Sequence, residues 1–343
     1  MQVPPFSLST QLSQLGEELD SAVLGVLSSG NFIGGPEVKA FESDFSSFTG
    51  VPYVVGCNSG TDALVLALRA LGIGKGDEVI TSSFSFFATA EAISTVGAAP
   101  VFVDINPGDY LLDLSKLDAA ITTATKAIIP VHLFGSPVNM NRLMTIAKKY
   151  NLKVIEDCAQ AAGSEWAGKS VGSWGDVGCF SFFPTKNLGA AGDAGALITK
   201  DSLIAKKARE LAVHGMPRRY FHSELGYNSR LDAIQAAVLN VKLPRLNDWI
   251  VKRQLVAKRY INLLKSINGI KIPEASNDIN GKHSWNQFVI KINFSQDSDI
   301  SKNLYNKYLN SKSSDQKNSS ISEVQSIRDW FKQRLEEKGV KTI

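Results

Sequence analysis

Apolar and polar positions alternate along this chain with two different periods, and the places where the period switches outline a fold. Short apolar runs at 52–56, 78–81, 100–104, 126–131 and 152–156 predict strands. Between them, residues 61–71, 84–97, 114–121 and 139–150 carry apolar positions three and four apart, which predicts helices. Such alternation predicts an α/β fold with a mainly parallel sheet covered by helices on both faces. Two further runs, 178–182 and 195–199, have no helix between them, so one is expected to be antiparallel. Ahead of the first strand, 9–29 reads as an amphipathic helix. A glycine-rich bend follows at 30–35, and Pro36 suits the first turn of a helix that Gly50 closes.

The second half reads differently. A long helical stretch over roughly 231–268 is expected to cross from a large domain (1–245, with the N-terminal helical segment) into a small α+β domain (246–343). Residues 283–293 alternate like a half-buried strand. Residues 294–322 are dominated by Ser, Asn, Lys and Asp, as expected of a flexible polar insertion. A last helix, about 322–338, sets Ile327, Trp330, Phe331 and Leu335 on one face. The chain then stops at Gly339-Val-Lys-Thr-Ile343, which reads as the start of a strand. A small domain cut short is the expectation, with 294–343 its most mobile part.

Composition narrows the classes. A chain of 343 residues, 44% hydrophobic and 20% charged, is globular and long enough for a large core. It has no apolar run long enough to span a bilayer and no basic-then-hydrophobic leader, so neither a membrane nor a signal peptide is expected. The net charge of +4 leaves no footprint for nucleic acid. Cys57, Cys158 and Cys179 lie in or beside apolar strands without metal-ligand spacing, which suits buried free thiols in a reducing cytoplasm and no metal site.

The chemistry gathers where apolar strands end. Lys186 sits in Cys179-Phe-Ser-Phe-Phe-Pro-Thr-Lys186-Asn-Leu-Gly189, and Asp157 in Val154-Ile-Glu-Asp157-Cys-Ala-Gln160. Taken alone, Lys186 reads as a surface-loop lysine and Asp157 as a helix cap. Together, at the carboxyl ends of two strands of an open α/β sheet, they match what pyridoxal phosphate needs: a Schiff-base lysine and an anion that keeps the pyridine nitrogen protonated. Asn58-Ser59-Gly60-Thr61-Asp62 follows a strand and opens a helix, which suits a phosphate cup or ordinary capping by Ser59 or Asp62. Ser181 offers a second hydroxyl. Phe84, Phe86 and Phe87 offer a ring to stack on a cofactor, against the usual fate of core packing. Gln160 either binds the cofactor's phenolic oxygen or begins a helix. Asn228 and Arg230 suit a phosphate or carboxylate, or else a cap and an ion pair. His214 reads as structural.

With these motifs in order, the chain resembles the DegT-type nucleotide-sugar aminotransferases, of aspartate-aminotransferase fold type I. The matching stretches include Gly34-Gly-Pro-Glu-Val, Asn58-Ser-Gly-Thr-Asp-Ala-Leu, Ile155-Glu-Asp-Cys-Ala-Gln, Phe180-Ser-Phe-Phe-Pro-Thr-Lys-Asn-Leu-Gly and Gly226-Tyr-Asn-Ser-Arg-Leu-Asp. The resemblance covers about residues 5 to 293. It implies that Lys186 carries the Schiff base and Asp157 pairs with the pyridinium. Gly60, Thr61 and Ser181 would then hold the phosphate, Phe86 would stack on the ring, and Gln160 would contact the phenolic oxygen. The position of Asn228 implies reach to the neighbouring subunit's phosphate, hence a homodimer with shared active sites. Arg230 is a candidate for the substrate.

The implied activity is transfer of an amino group from glutamate to a keto-sugar nucleotide, 3-keto favoured over 4-keto, in cytoplasmic amino-sugar and polysaccharide biosynthesis. Two alternatives stand beside it. One is a dehydratase relative, which Lys186 argues against because those enzymes carry histidine there. The other is a truncated, catalytically weak homologue acting as a partner or regulatory protein. Two departures from the family accompany the resemblance. Asp193-Ala194-Gly195 stands where a Gly-Gly pair is usual, which requires a backbone without positive φ at Ala194. The family's Tyr/His-Tyr-Pro stretch after Gly-Val-Lys-Thr is absent, which implies a poor Michaelis constant for the sugar nucleotide.

Overall fold

The computed structural model describes residues 2–272, 280–292, 306 and 320–343. Its strands in chain order are β1 (Tyr53–Cys57), β2 (Glu78–Ser82), β3 (Ala99–Val103), β4 (Thr125–Ile129), β5 (Lys153–Asp157), β6 (Glu165–Trp166), β7 (Lys169–Ser170), β8 (Val177–Ser181), β9 (Gly195–Thr199), β10 (Ile270–Lys271), β11 (Gly281–Lys282) and β12 (Lys291–Ile292). The helices are α1 (Ser9–Ser29), α2 (Pro36–Thr49), α3 (Gly60–Ala70), α4 (Ala88–Thr95), α5 (Leu117–Ala120), α6 (Met140–Lys149), α7 (Ser202–Leu211), α8 (Ala233–Lys242), α9 (Leu246–Leu264) and α10 (Ser320–Glu337). Contacts divide the chain into two compact units, one of Leu15–Leu255 with Glu274–Phe288, the other of Met1–Gln14, Val256–Pro273 and Val289–Ile343. Residue 245, where the sequence draws its boundary, ends the 3-10 turn Leu243–Arg245 between α8 and α9, whereas the contact division runs between Leu255 and Val256. The expected polar insertion, 294–322, lies almost wholly outside the described residues.

The larger unit is built on a seven-stranded sheet in the order β1-β9-β8-β5-β4-β2-β3. β8, β5, β4, β2 and β3 run parallel, and β9 runs antiparallel to both of its neighbours, β8 and β1. The antiparallel member of the helix-free pair is therefore β9. It is buried along its whole length, as a central strand with both faces covered must be. Helices cover one face with α3, α4 and α7 around Leu64, Leu68, Ile93 and Leu211. On the other, α2 and α8 bring Phe41, Phe45 and Leu239 onto Phe180 and Phe182. Phe41 and Phe45 meet Phe182 edge-on at 5.2 and 5.3 Å, so the chain leaving β8 is gripped as it exits the sheet. Each buried phenyl contributes about 1.5–3 kcal/mol, with roughly 0.5–1.5 kcal/mol more for favourable ring pairs.

Several expectations need correction. The helix drawn over 231–268 is two helices, because Pro244 ends the run of i→i−4 bonds at the 3-10 turn. Helix α7 was not foreseen; Asp201 caps it by accepting from the Leu203 and Ile204 N–H groups, a signal present in the sequence. Of the strand expected over 283–293, only Lys291–Ile292 (β12) forms one among the described residues; β11 ends just before that span at Lys282, and Trp285 turns the backbone through φ 50°. Elsewhere strands and helices fall within a few residues of the pattern, with Gly50 closing α2 in the left-handed conformation.

In the smaller unit β10 pairs antiparallel with β12. The segment after α10 forms a parallel bridge, Val3 to Val340, with Val3 N–H donating to Gly339 O and Lys341 N–H to Val3 O. Trp330 and Phe331 are half-buried. Among the described residues no helix is long and apolar enough to cross a membrane.

Candidate active site

The carboxyl ends of β1, β8, β5, β4 and β2 share one edge of the sheet, and β9 begins there. Asn58–Thr61 leaves β1, Asp157 ends β5, Ser181 ends β8, and the Phe84–Thr89 segment leaves β2. The edge is where an open parallel sheet offers free backbone groups and loops to a ligand.

The cup begins at α3. Ser59 caps this helix by accepting from the Asp62 N–H at 3.0 Å, so the capping reading is correct. The cap leaves the Gly60 and Thr61 N–H groups without a partner among the described residues, pointing out of a positive helix end. Gly60 is required by contact, because a Cβ there would lie 2.6 Å from Ser181 Cβ. The two phosphate candidates from β1 and β8 therefore touch. Gly195 closes the cup from behind, since a Cβ on it would stand 2.3 Å from Ser59 O. Ala194 keeps a backbone outside the left-handed region and is fully buried, so the substitution of Ala for the usual Gly is accommodated.

Asp157 is buried, and both carboxylate oxygens are held. Thr89 Oγ1 donates to Oδ2 at 2.9 Å and Ala159 N–H to Oδ1 at 3.0 Å. Burial pushes its pKa up; those two bonds and the positive charge of Lys186 pull it back. Lys186 is half-buried, and burial lowers its pKa while the Asp157 carboxylate raises it. Each thus feels the other's charge. Gln160 lies in a turn rather than at a helix start; its Oε1 accepts from the Phe134 N–H at 2.6 Å, which leaves its amide NH₂ for a ligand.

Phe86 and Phe87 are 75% and 72% exposed and Phe84 47%, so core packing claims none of the three fully. Phe84 stays edge-on to Tyr110 and Phe134, whereas Phe86 has an open ring face for a planar group. Asn228 is exposed and makes no side-chain hydrogen bond among the described residues. It does not cap α8, which follows Asp232. Its neighbour Ser229 donates to Asn58 Oδ1 at 3.1 Å. Arg230 is half-buried without an ion pair among the described residues. His214 is exposed at φ 62° and contributes backbone bonds to Tyr227 and His222.

Three groups that could suggest a metal, His132, Glu156 and Cys158, come within 4.8 Å of one another. Their atoms are already committed. Glu156 accepts from Gly172, Trp174 and Gly175 N–H groups and from His132 Nε2, while His132 Nδ1 accepts from Val138. Burial also pushes the Cys158 thiol up, away from the thiolate a metal would take. The cluster braces the floor beneath Asp157.

These residues fit pyridoxal phosphate: a helix end and two hydroxyls for a phosphate, a buried carboxylate for a ring N–H, a half-buried amine and an open ring face. Sequence reasoning missed Thr89, although it lies one helical turn from Phe86, and Lys242, discussed below.

The comparisons agree with this geometry. The profile of the DegT/DnrJ/EryC1/StrS aminotransferase family matches residues 13–314. The chain is 46% identical over 291 residues (85% of this chain, 78% of the other) to a UDP-N-acetyl-3-dehydro-alpha-D-glucosamine 3-aminotransferase of Acidithiobacillus ferrooxidans. It is 43% identical over 285 residues (83% and 79%) to a UDP-2-acetamido-2-deoxy-3-oxo-D-glucuronate aminotransferase of Pseudomonas aeruginosa. Among solved structures, DesV of S. venezuelae, crystallised with a ketimine intermediate, superposes with a TM-score of 0.86 at 35% identity, covering 99% of this chain and 82% of that one. The chain belongs to the DegT/DnrJ/EryC1/StrS aminotransferase family, whose members are pyridoxal phosphate-dependent transaminases of fold type I.

Proposed function

We propose that this protein moves an amino group from glutamate to the 3-keto position of a sugar nucleotide, as a cytoplasmic homodimer serving amino-sugar and polysaccharide synthesis. The observation that carries the reading is the meeting of Lys186, Asp157 and the Gly60–Ser181 cup at one strand edge. The names of the relatives from A. ferrooxidans and P. aeruginosa support a 3-keto acceptor. Three fully buried thiols suit a reducing compartment.

Pyridoxal phosphate bound at this edge would supply a carbonyl that exchanges amines and a ring that takes up electrons. The α3 N-terminus with Thr61 and Ser181 would hold its phosphate, and the Gln160 amide and the Phe86 ring would orient its plane. Asp157 keeps an anion facing the ring N–H, with Thr89 and Ala159 fixing its two oxygens. Lys186 Nζ, with a pKa lowered by burial, takes the proton from the donor's α-carbon and later returns one to the sugar carbon. Asn228, exposed and with no side-chain hydrogen bond among the described residues, would complete the phosphate site of a second copy, and Arg230 would face the acceptor's charge.

The test is spectroscopic. Purified protein with pyridoxal phosphate should show a visible band that glutamate bleaches and a 3-keto sugar nucleotide restores, with the amine found on C3 by NMR. A band indifferent to glutamate overturns the donor, and an amine on C4 overturns the regiochemistry. No band at all would favour a non-catalytic partner.

A further inference from the structure

One lysine in the core has no part in the chemistry above. Lys242 leaves the last turn of α8 and is only 2% exposed, ranking with the phenylalanines among the largest fully buried side chains. Its Nζ donates to Gly189 O at 2.7 Å. Burial lowers its pKa, and no carboxylate pairs with it among the described residues. Burying an ammonium opposes folding, and an apolar side chain of similar length would fill the same space without that penalty. A bland account, that it soothes the carbonyl end of α8, does not explain why the ammonium reaches across to another segment.

The carbonyl it reaches belongs to the turn that carries Lys186. This turn is short and closed: Lys186 N–H donates to Phe183 O, and Ala190 N–H to Phe182 O. A Cβ on Gly189 would lie 2.5 Å from Pro184 O, so the chain doubles back on itself there. Asn187 Nδ2 donates to Ser284 O at 2.9 Å, holding the turn from the other side. Gly189 O has no backbone donor among the described residues, which makes Lys242 its partner.

We propose that Lys242 is a positioning residue that fixes the Lys186 turn against the sheet edge, so that the Lys186 amine keeps its place relative to Asp157. This inference rests on the reading of Lys186 as the Schiff-base lysine. Displacing a reactive group by an ångström costs on the order of 10²-fold in rate. A methionine at 242 keeps the volume and removes the donor; a glutamine keeps a donor without the charge.

The experiment compares Lys242→Met and Lys242→Gln with the wild type, each reconstituted with pyridoxal phosphate. Spectrophotometric pH titration of the lysine–cofactor band, kcat and KM are measured on each, with melting of the cofactor-free proteins. With methionine the titration midpoint should move by about one unit. Its kcat should fall about 10- to 100-fold, with KM for glutamate within about twofold and the cofactor-free protein melting no lower. Glutamine should recover part of both. Unchanged titration and kcat, whatever the melting temperature, would overturn the proposal. So would failure of both variants to fold, which would make Lys242 a stability residue. Lys186→Ala serves as the control: if it retained the band, the Lys186 assignment would fail, not the role of Lys242.

Discussion

Around Gly60, Ser181 and the Lys186 turn, the chain packs backbone on backbone with glycines at the points of contact, and leaves the Gly60 and Thr61 N–H groups facing outward. Along Phe84–Phe87, Phe183 and the 214–226 loop it does the opposite. Large rings stand in solvent, Tyr220 is 81% exposed at φ 63°, and Arg218 and Arg219 lie over Phe221 and Tyr220. The first region is shaped by close packing within the chain; the second presents surface that the described residues leave uncovered. Exposed clusters of large apolar groups mark binding surfaces, and strained backbone gathers at functional segments. The contrast separates a cradle the chain packs for itself from a rim that, on the function proposed above, substrate and a second copy would complete.

The cradle is broken most completely at Lys186. Lys186→Ala should reduce turnover by at least about 10⁴-fold and abolish the visible band, while the cofactor still binds loosely through its phosphate. Full activity in this variant, or borohydride labelling of another lysine, would remove Lys186 from the centre of the cradle. Asp157→Asn comes next. Losing the anion opposite the ring nitrogen should lower kcat on the order of 10²- to 10³-fold. The cofactor-free variant should melt no lower than wild type, because burial disfavours the charged carboxylate it removes. A near-normal rate would mean that another acid serves the ring.

The rim is tested by mixing. Lys186→Ala and Asn228→Ala protomers, combined in equal amounts, should form heterodimers in which one site carries both lesions and the other neither. Random assortment would restore roughly a quarter of wild-type activity, as symmetry of a shared site dictates. A monomeric, fully active preparation would show that the exposed rings serve substrate alone.

The smallest expected effect concerns the segment that supports the cradle through Ser284. Burial pushes the neighbouring His283 down from 6.5 to about 3, and its ring stacks on Trp285 at 3.9 Å. The unfolded chain takes up this proton near 6.5, whereas the folded one resists it until about 3. The contribution to stability is therefore whole above 6.5 and is lost as pH falls towards 3. His283→Phe should flatten the acid limb of a stability–pH curve by up to one proton; an identical limb would place the imidazole in solvent.

The cradle was legible in the sequence, and the physical reason is locality. Lys186, Asp157, Gly60 and Ser181 each sit at the end of an apolar run, and the alternation of strands and helices places those ends together. Thr89 was hidden because its partner is 68 residues distant, although its spacing from Phe86 is one helical turn. Lys242 was hidden more deeply. A lysine in a helical pattern reads as solvated, and only packing shows that its amine ends inside the core beside Gly189. Pro244 did carry a readable signal, which the strong apolar period on either side masked. The rim was legible only in part: Phe86 was read as a stacking ring, while Phe84 and Phe87 beside it read as core and stand exposed. A run of phenylalanines reads as core, since sequence patterns record which residues are apolar and not which surface will cover them.

Gly195 stands in register with Cys57 on one side and Ser181 on the other. Three strand ends meet on one rung, and the thirteen residues 182–194 span from that rung back to itself. Inserting or deleting one residue in this span would either slip β9 by a step, turning its inward face outward, or force a bulge against Ser59. Apart from Lys186 and the residues that hold its turn, such as Phe182, Asn187 and Gly189, side chains within the span can change over evolution, but its length cannot. Across homologues this stretch should be a ruler, constant in count even where its spelling varies.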